Sequence, residues 1–299
     1  MAVTVGVIGP AAAGPAAAAP QDPVVHCPSQ DLQTAINSAP AGGTLRVDGT
    51  CVGNFTIAKS LTVIGGKSAA LDGGGTFNPA VTITGSDSQV RLKSLTITHH
   101  VANTGGGIYN VGGVVTLDGA TVSANASNTG GGIYNTSGGK LTLNGSTVRD
   151  NTSAVTGGGG IYNGSGSTVA LNRSNVSHNG TPGGGGGILN LGTLTLQDST
   201  VGDNTATNGG GINNFGTAKL FRSTVQGNYA AQHGGGIFNN GGGSVTLDHS
   251  TVLENWAIHG TGGGINNATG GTVALLHSTF RQNQPNHCAP LDNIPGCNG

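Results

Sequence analysis

The chain has 299 residues, 8% of them charged, and a formal net charge of −1. Eleven Lys and Arg spread thinly along it offer no patch for nucleic acid or an anionic membrane surface, which need clustered basic side chains. The 58 glycines and 11 prolines approach the level of disordered chains, but low charge, 35% hydrophobic residues and glycines recurring at regular spacing describe an ordered protein.

In chain order, residues 1–20 are nearly all Ala, Val, Ile, Gly and Pro, with Ala17-Ala18-Ala19 placed as the small residues of a signal-peptidase site. They read as a signal peptide lacking its basic start, or as a flexible segment. Prolines and glycines keep this stretch below the roughly 18 apolar residues of a membrane span. Residues 21–42 follow as an amino-terminal cap, in which Ser29 precedes a short helix over Asp31-Leu32-Gln33-Thr34-Ala35-Ile36.

Residues 43–283 form the body. Gly-Gly-Gly-Ile followed by Asn two places after the Ile recurs seven times, at Ile108, Ile133, Ile161, Ile188, Ile212, Ile237 and Ile265. A period of this length means stacked supersecondary units. A second signature places Asn three residues after an apolar residue, from Val122 and Asn125 to Phe280 and Asn283. Ile97 and His100 take these places one coil earlier. Between the signatures run alternating segments such as Lys140-Leu141-Thr142-Leu143, the period of a half-buried strand.

Each repeat therefore holds three short strands. The repeats show no helical period, so a unit covers its apolar side with its own next turn. The fold class is all-β: a right-handed, three-faced parallel β-helix, a solenoid of about nine coils. Its interior column is aliphatic, and its two asparagine columns form amide ladders. Residues 284–299, with three prolines, read as a carboxy-terminal cap that cannot continue the ladder. Four cysteines lie in two distant pairs, and a rod brings only Cys27 with Cys51 and Cys288 with Cys297 within reach of a disulfide. Two bridges imply an oxidising compartment, so a secreted or cell-surface location is expected.

Gly-Gly-x-Ile together with Phe-x-x-Asn, literal at Phe280-Arg281-Gln282-Asn283 and carrying Val for Phe elsewhere, resembles the repeats of the polymorphic outer-membrane protein family. The chain is also similar to right-handed parallel β-helix proteins of the pectin-lyase-like superfamily. The first resemblance implies surface exposure and adhesion, although its autotransporter barrel has no counterpart in this sequence. The second implies, in its enzymes, aspartate clusters or paired carboxylates acting on acidic polysaccharides. Here eleven Asp and one Glu are scattered, without an Asp-Asp pair.

The acid/base candidates come from the residue before each ladder asparagine, where Asp150, His178 and Asp203 occupy consecutive coils. A second column reads Arg173, Asp198, Arg222, His249 and His277, an exposed ion-pair ladder whose two histidines lack a third ligand, so no metal is expected. The residue after each Ile reads Tyr109, Tyr134 and Tyr162, an aromatic strip suited to a sugar face or a partner protein. Tyr229 and Trp256, with His233 and His259, lie on neighbouring loops as a second cluster. Threonines from Thr96 to Thr279 form one outward column, where ice binding asks for two. The expectation is a non-catalytic, adhesin-like protein that binds polysaccharide or a cell-surface protein without a cofactor. A polysaccharide lyase or glycoside hydrolase is the alternative, and an ice-binding protein a minor one.

Overall fold

The computed structural model describes residues 1–2, 22–75, 77–290 and 294–297, so the leader reading of residues 1–20 falls almost wholly outside the described residues. Parallel strands, stacked in register, build one eleven-stranded and two ten-stranded sheets among these residues. In the first, Leu117 pairs with Leu143 and Leu143 with Leu171. In the second, Val122 pairs with Val148 and Val148 with Val176. In the third, Ile108, Ile133, Ile161, Ile188, Ile212, Ile237 and Ile265 succeed one another. The repeat period is thus one full turn, and residues about 25 apart in sequence are neighbours along the axis.

The core runs the length of this solenoid. Val115, Leu117, Val122 and Ile133 are buried in one turn, as are Leu141, Leu143, Val148 and Ile161 in the next. Burial of each such side chain contributes roughly 1.5–3 kcal/mol. The sharp turns between sheets leave buried backbone groups, which the ladders satisfy. Asn151 Nδ2 donates to Asn179 Oδ1 at 3.0 Å, and Asn179 Nδ2 to Asn204 Oδ1 at 3.0 Å. The other column does the same, with Asn163 donating to Asn190 and Asn190 to Asn214, each at 2.7 Å.

The backbone N–H groups of Ser146, Ser174, Ser199, Ser223 and Ser250 each donate to the serine Oγ of the following turn at 3.1–3.2 Å. This third ladder escaped the sequence reading, because serine at a strand's edge looks like ordinary turn composition.

The structure differs from expectation in four places. The turns number about ten, since Val24–His26 pairs with Gly43–Asp48 inside the segment read as a cap. At the other end, Cys288–Ala289 pairs with Ile265 and Asn266, so the ladder continues for one short strand inside the segment read as a cap. Pro285 and Pro290 flank this strand without occupying it, and their missing donors are not required there. Fourth strands also appear, at Ala126–Thr129, Thr152–Gly157, Thr205–Ala206, Tyr229–Ala230 and Trp256–Ala257. Isolated bridges from Thr152 through Gly180 to Thr205 join them into one line along the rod.

The helix spans Leu32–Ser38, and Asp31, expected within it, is instead its N-cap, with Asp31 Oδ1 accepting from the Thr34 N–H at 2.7 Å. Leu32 and Ile36 face the core of the first turns. Both expected disulfides are present, Cys27–Cys51 and Cys288–Cys297. No described helix is long and apolar enough to cross a membrane.

Candidate functional site

Charged side chains reach the outside at the corners of the coil, and aromatic ones from its strands. Two corner columns adopt left-handed backbone with side chains in place. One includes Asp150, His178, Asp203 and Glu254 at φ 54–56°, and the other Arg173, Asp198, Arg222, His249 and His277 at φ 45–50°. A third corner is the first glycine of each triplet, as at Gly158, with φ of 64°. The next glycine is required by close approach: a Cβ on Gly159 would lie 2.5 Å from the carbonyl oxygens of both Gly180 and Gly186. A left-handed corner turns successive side chains outward, so chemistry-bearing residues line up one turn apart.

The structure brings Asp150, His178 and Asp203 into one exposed column but not into a relay. Asp150 pairs with Arg149, and among the described residues no hydrogen bond joins His178 to either carboxylate. In the second column, Arg222 grips Asp198 with two bonds, Nε to Oδ1 at 2.7 Å and Nη2 to Oδ2 at 2.9 Å. The hydrogen bonds from Arg222 hold the Asp198 carboxyl below the usual range, and the Arg222 guanidinium is raised in turn. Arg222 also lies over the Phe221 ring, 4.0 Å from its centroid. Arg173 and Asp198 line a shallow polar depression of about 400 Å³ with Asn144, Asn172 and Gln197. Further along, His249 Nδ1 meets Asp248 Oδ1 at 2.6 Å and the His249 and His277 rings are 4.7 Å apart. Asp248 is the neighbour that column-by-column reading missed, since it ends a strand while His249 begins the corner.

Tyr109, Tyr134 and Tyr162 do form a strip. Their ring centroids are 5.4 and 4.6 Å apart, tilted by 48° and 37°. All three are half-buried. The Gly105 backbone packs so closely on this strip that a Cβ there would come within 3.1 Å of the Cβ atoms of both Tyr109 and Tyr134. Burial, reinforced by Tyr134, pushes the Tyr162 phenol up. Leu189 continues the column and is buried. The strip is largely covered by its own loops.

The second aromatic cluster is open. Tyr229 and Trp256 pair in register on neighbouring fourth strands, with ring centroids 5.8 Å apart and planes within 27° of parallel. They are 41% and 43% exposed, and Ile258, two residues beyond Trp256, is 53% exposed. Of the accompanying histidines, His233 is engaged: it stacks on Phe238, and its Nδ1 accepts the Thr261 N–H at 3.3 Å. His259 is exposed. The threonine column lies on the second sheet, where the neighbouring outward position holds Arg149, Leu253 and Arg281.

No family model matches the chain, and no match is found among curated proteins or solved structures. The parallel solenoid itself is defined by the register of its strands.

Proposed function

We propose that the chain is a secreted or cell-surface solenoid that binds carbohydrate on its outer side without transforming it, in the manner of an adhesin, with Tyr229 and Trp256 as the contact. The supporting observation is the stacked, exposed pair of rings on the line of fourth strands. Aromatic faces suit the C–H faces of sugar rings, while a phenol hydroxyl and an indole N–H add polar contacts at their edges. Large aromatic groups held open to water on a rigid scaffold favour binding over folding as their purpose. The two disulfides and the lack of a described membrane-spanning helix are compatible with an extracellular place. Kinship with the pectin-lyase-like superfamily and with outer-membrane repeats belongs to the same reading.

The test is a polysaccharide and glycan binding screen with wild type, Trp256→Ala, Tyr229→Ala and Tyr134→Ala. Trp256→Ala is expected to weaken binding by about tenfold. Tyr134→Ala, at a largely covered position, leaves affinity unchanged. Loss of binding in Tyr134→Ala alone would move the contact to the tyrosine strip. A wild type that binds no glycan would remove the carbohydrate reading.

A further inference from the structure

Asp248, His249 and His277 each offer a ligand atom, and these atoms all lie within 4.8 Å of one another. We propose that they form a binding site for a divalent transition-metal ion of the zinc class, independent of the aromatic contact.

The donor set decides the class. Two imidazole nitrogens and one carboxylate oxygen suit zinc, copper or nickel, whereas calcium and magnesium take mostly oxygen ligands. A tetrahedral zinc ion with bonds of about 2.0–2.2 Å holds its ligand atoms roughly 3.3–3.6 Å apart. The observed separations, from 2.6 Å between His249 Nδ1 and Asp248 Oδ1 to no more than 4.8 Å, bracket that spacing. Three protein ligands leave one position for water or for a group from outside.

The backbone beneath the site is rigid. Asp248 lies between Phe221 and Leu276 in the eleven-stranded sheet. The Asp248 carbonyl accepts the Arg222 N–H, and the His249 N–H donates to the Leu276 carbonyl, at 3.0 and 2.9 Å. His249 and His277 occupy the same left-handed corner on consecutive turns, at φ 48° and 49°. Their rings are thereby brought 4.7 Å apart with planes 30° from parallel. Phe221 stands edge-on to His249 at 6.4 Å on the third side. The nearest cation in the column, Arg222, is already held by Asp198. The carboxylate and His249 are open to solvent, so an ion can enter.

Zinc titration of the full chain by calorimetry tests the site, with cobalt as a spectroscopic probe of coordination. One equivalent is expected to bind, with a tetrahedral cobalt absorption band. His249→Ala, His277→Ala and Asp248→Asn should each lower affinity by about tenfold or more. His178→Ala, an exposed histidine of the other corner column, should not. All three ligands are surface residues, and a far-ultraviolet spectrum of each variant checks that it is folded. Absence of saturable binding up to about 1 mM zinc overturns the proposal. So does binding that survives in the His249→Ala, His277→Ala double variant. Neither outcome touches the glycan result, which depends on Trp256.

Discussion

The amino-terminal turns and the seven motif-bearing turns share one register but satisfy their buried corners differently. From Ile108 onward an identical amide repeats, each asparagine serving the backbone of its neighbours. Asn179 donates to the carbonyls of Val148 and Ser177 and to Asn204, and accepts from both the backbone and the side chain of Asn151. Before Ile108 the work falls to unlike residues. Asn54 Nδ2 reaches the carbonyls of Asn78 and Pro79, while His100 occupies the ladder position and gives its N–H to Asn125 Oδ1. Strand stacking is nevertheless continuous, with Phe55 on Val81 and Val81 on Ile108. An apolar residue at the matching place of each turn is enough to align strands, whereas the motif governs how buried turns are satisfied.

That contrast is most sharply broken at Asn179. Asn179→Ala leaves several buried groups without partners and should destabilise the protein by about 3 kcal/mol in chemical denaturation. Asn54→Ala, whose bonds to the Asn78 and Pro79 carbonyls lie nearer the surface, should cost about 1 kcal/mol. Equal costs would mean that the ladder has no more weight than an ordinary turn asparagine.

A smaller effect separates His100 from the asparagines it replaces. Burial pushes its imidazole below the ordinary value, partly opposed by backbone hydrogen bonds at Gly53 and Asn78 and by the nearby Asp72 carboxylate. The folded state therefore resists protonation while the unfolded chain accepts it. Stability contributed by neutral His100 is complete above about pH 6.5 and is lost as pH falls from there toward the folded value. His100→Asn, which restores the ladder residue, should flatten this part of the pH–stability profile. A profile identical to wild type would exclude His100 as the source.

The smallest change concerns the outside of the rod. Arg222→Ala removes an exposed pair and should leave the melting temperature nearly unchanged at physiological salt. The Asp198 carboxyl should nonetheless titrate higher, as NMR would record, because the hydrogen bonds that lower it are gone.

Much of this was legible in the sequence because translation along a solenoid maps directly onto sequence spacing. The Ile column, both asparagine ladders and both cysteine pairs follow from position alone. The helix N-cap at Asp31, the strand Cys288–Ala289 and the serine ladder did not, since each depends on local backbone direction at a place where the period is broken or its residue is common in turns. The site residues divide the same way. Spacing placed Asp150, His178 and Asp203 in one column but could not tell that Asp150 would turn to Arg149. It aligned Tyr109, Tyr134 and Tyr162 without revealing how closely the glycine loops cover them.

By itself the sequence determined the architecture: a repeated apolar register, amides at fixed intervals and glycines where no Cβ fits leave stacking of successive turns as the way to bury the strands. Only the tertiary structure decided which outward groups meet. Tyr229 and Trp256 stand open, the tyrosine strip is largely covered, and Asp248 joins His249 and His277. These outcomes depend on corner dihedrals and side-chain rotamers, which the repeat period constrains in position along the axis but not in direction around it.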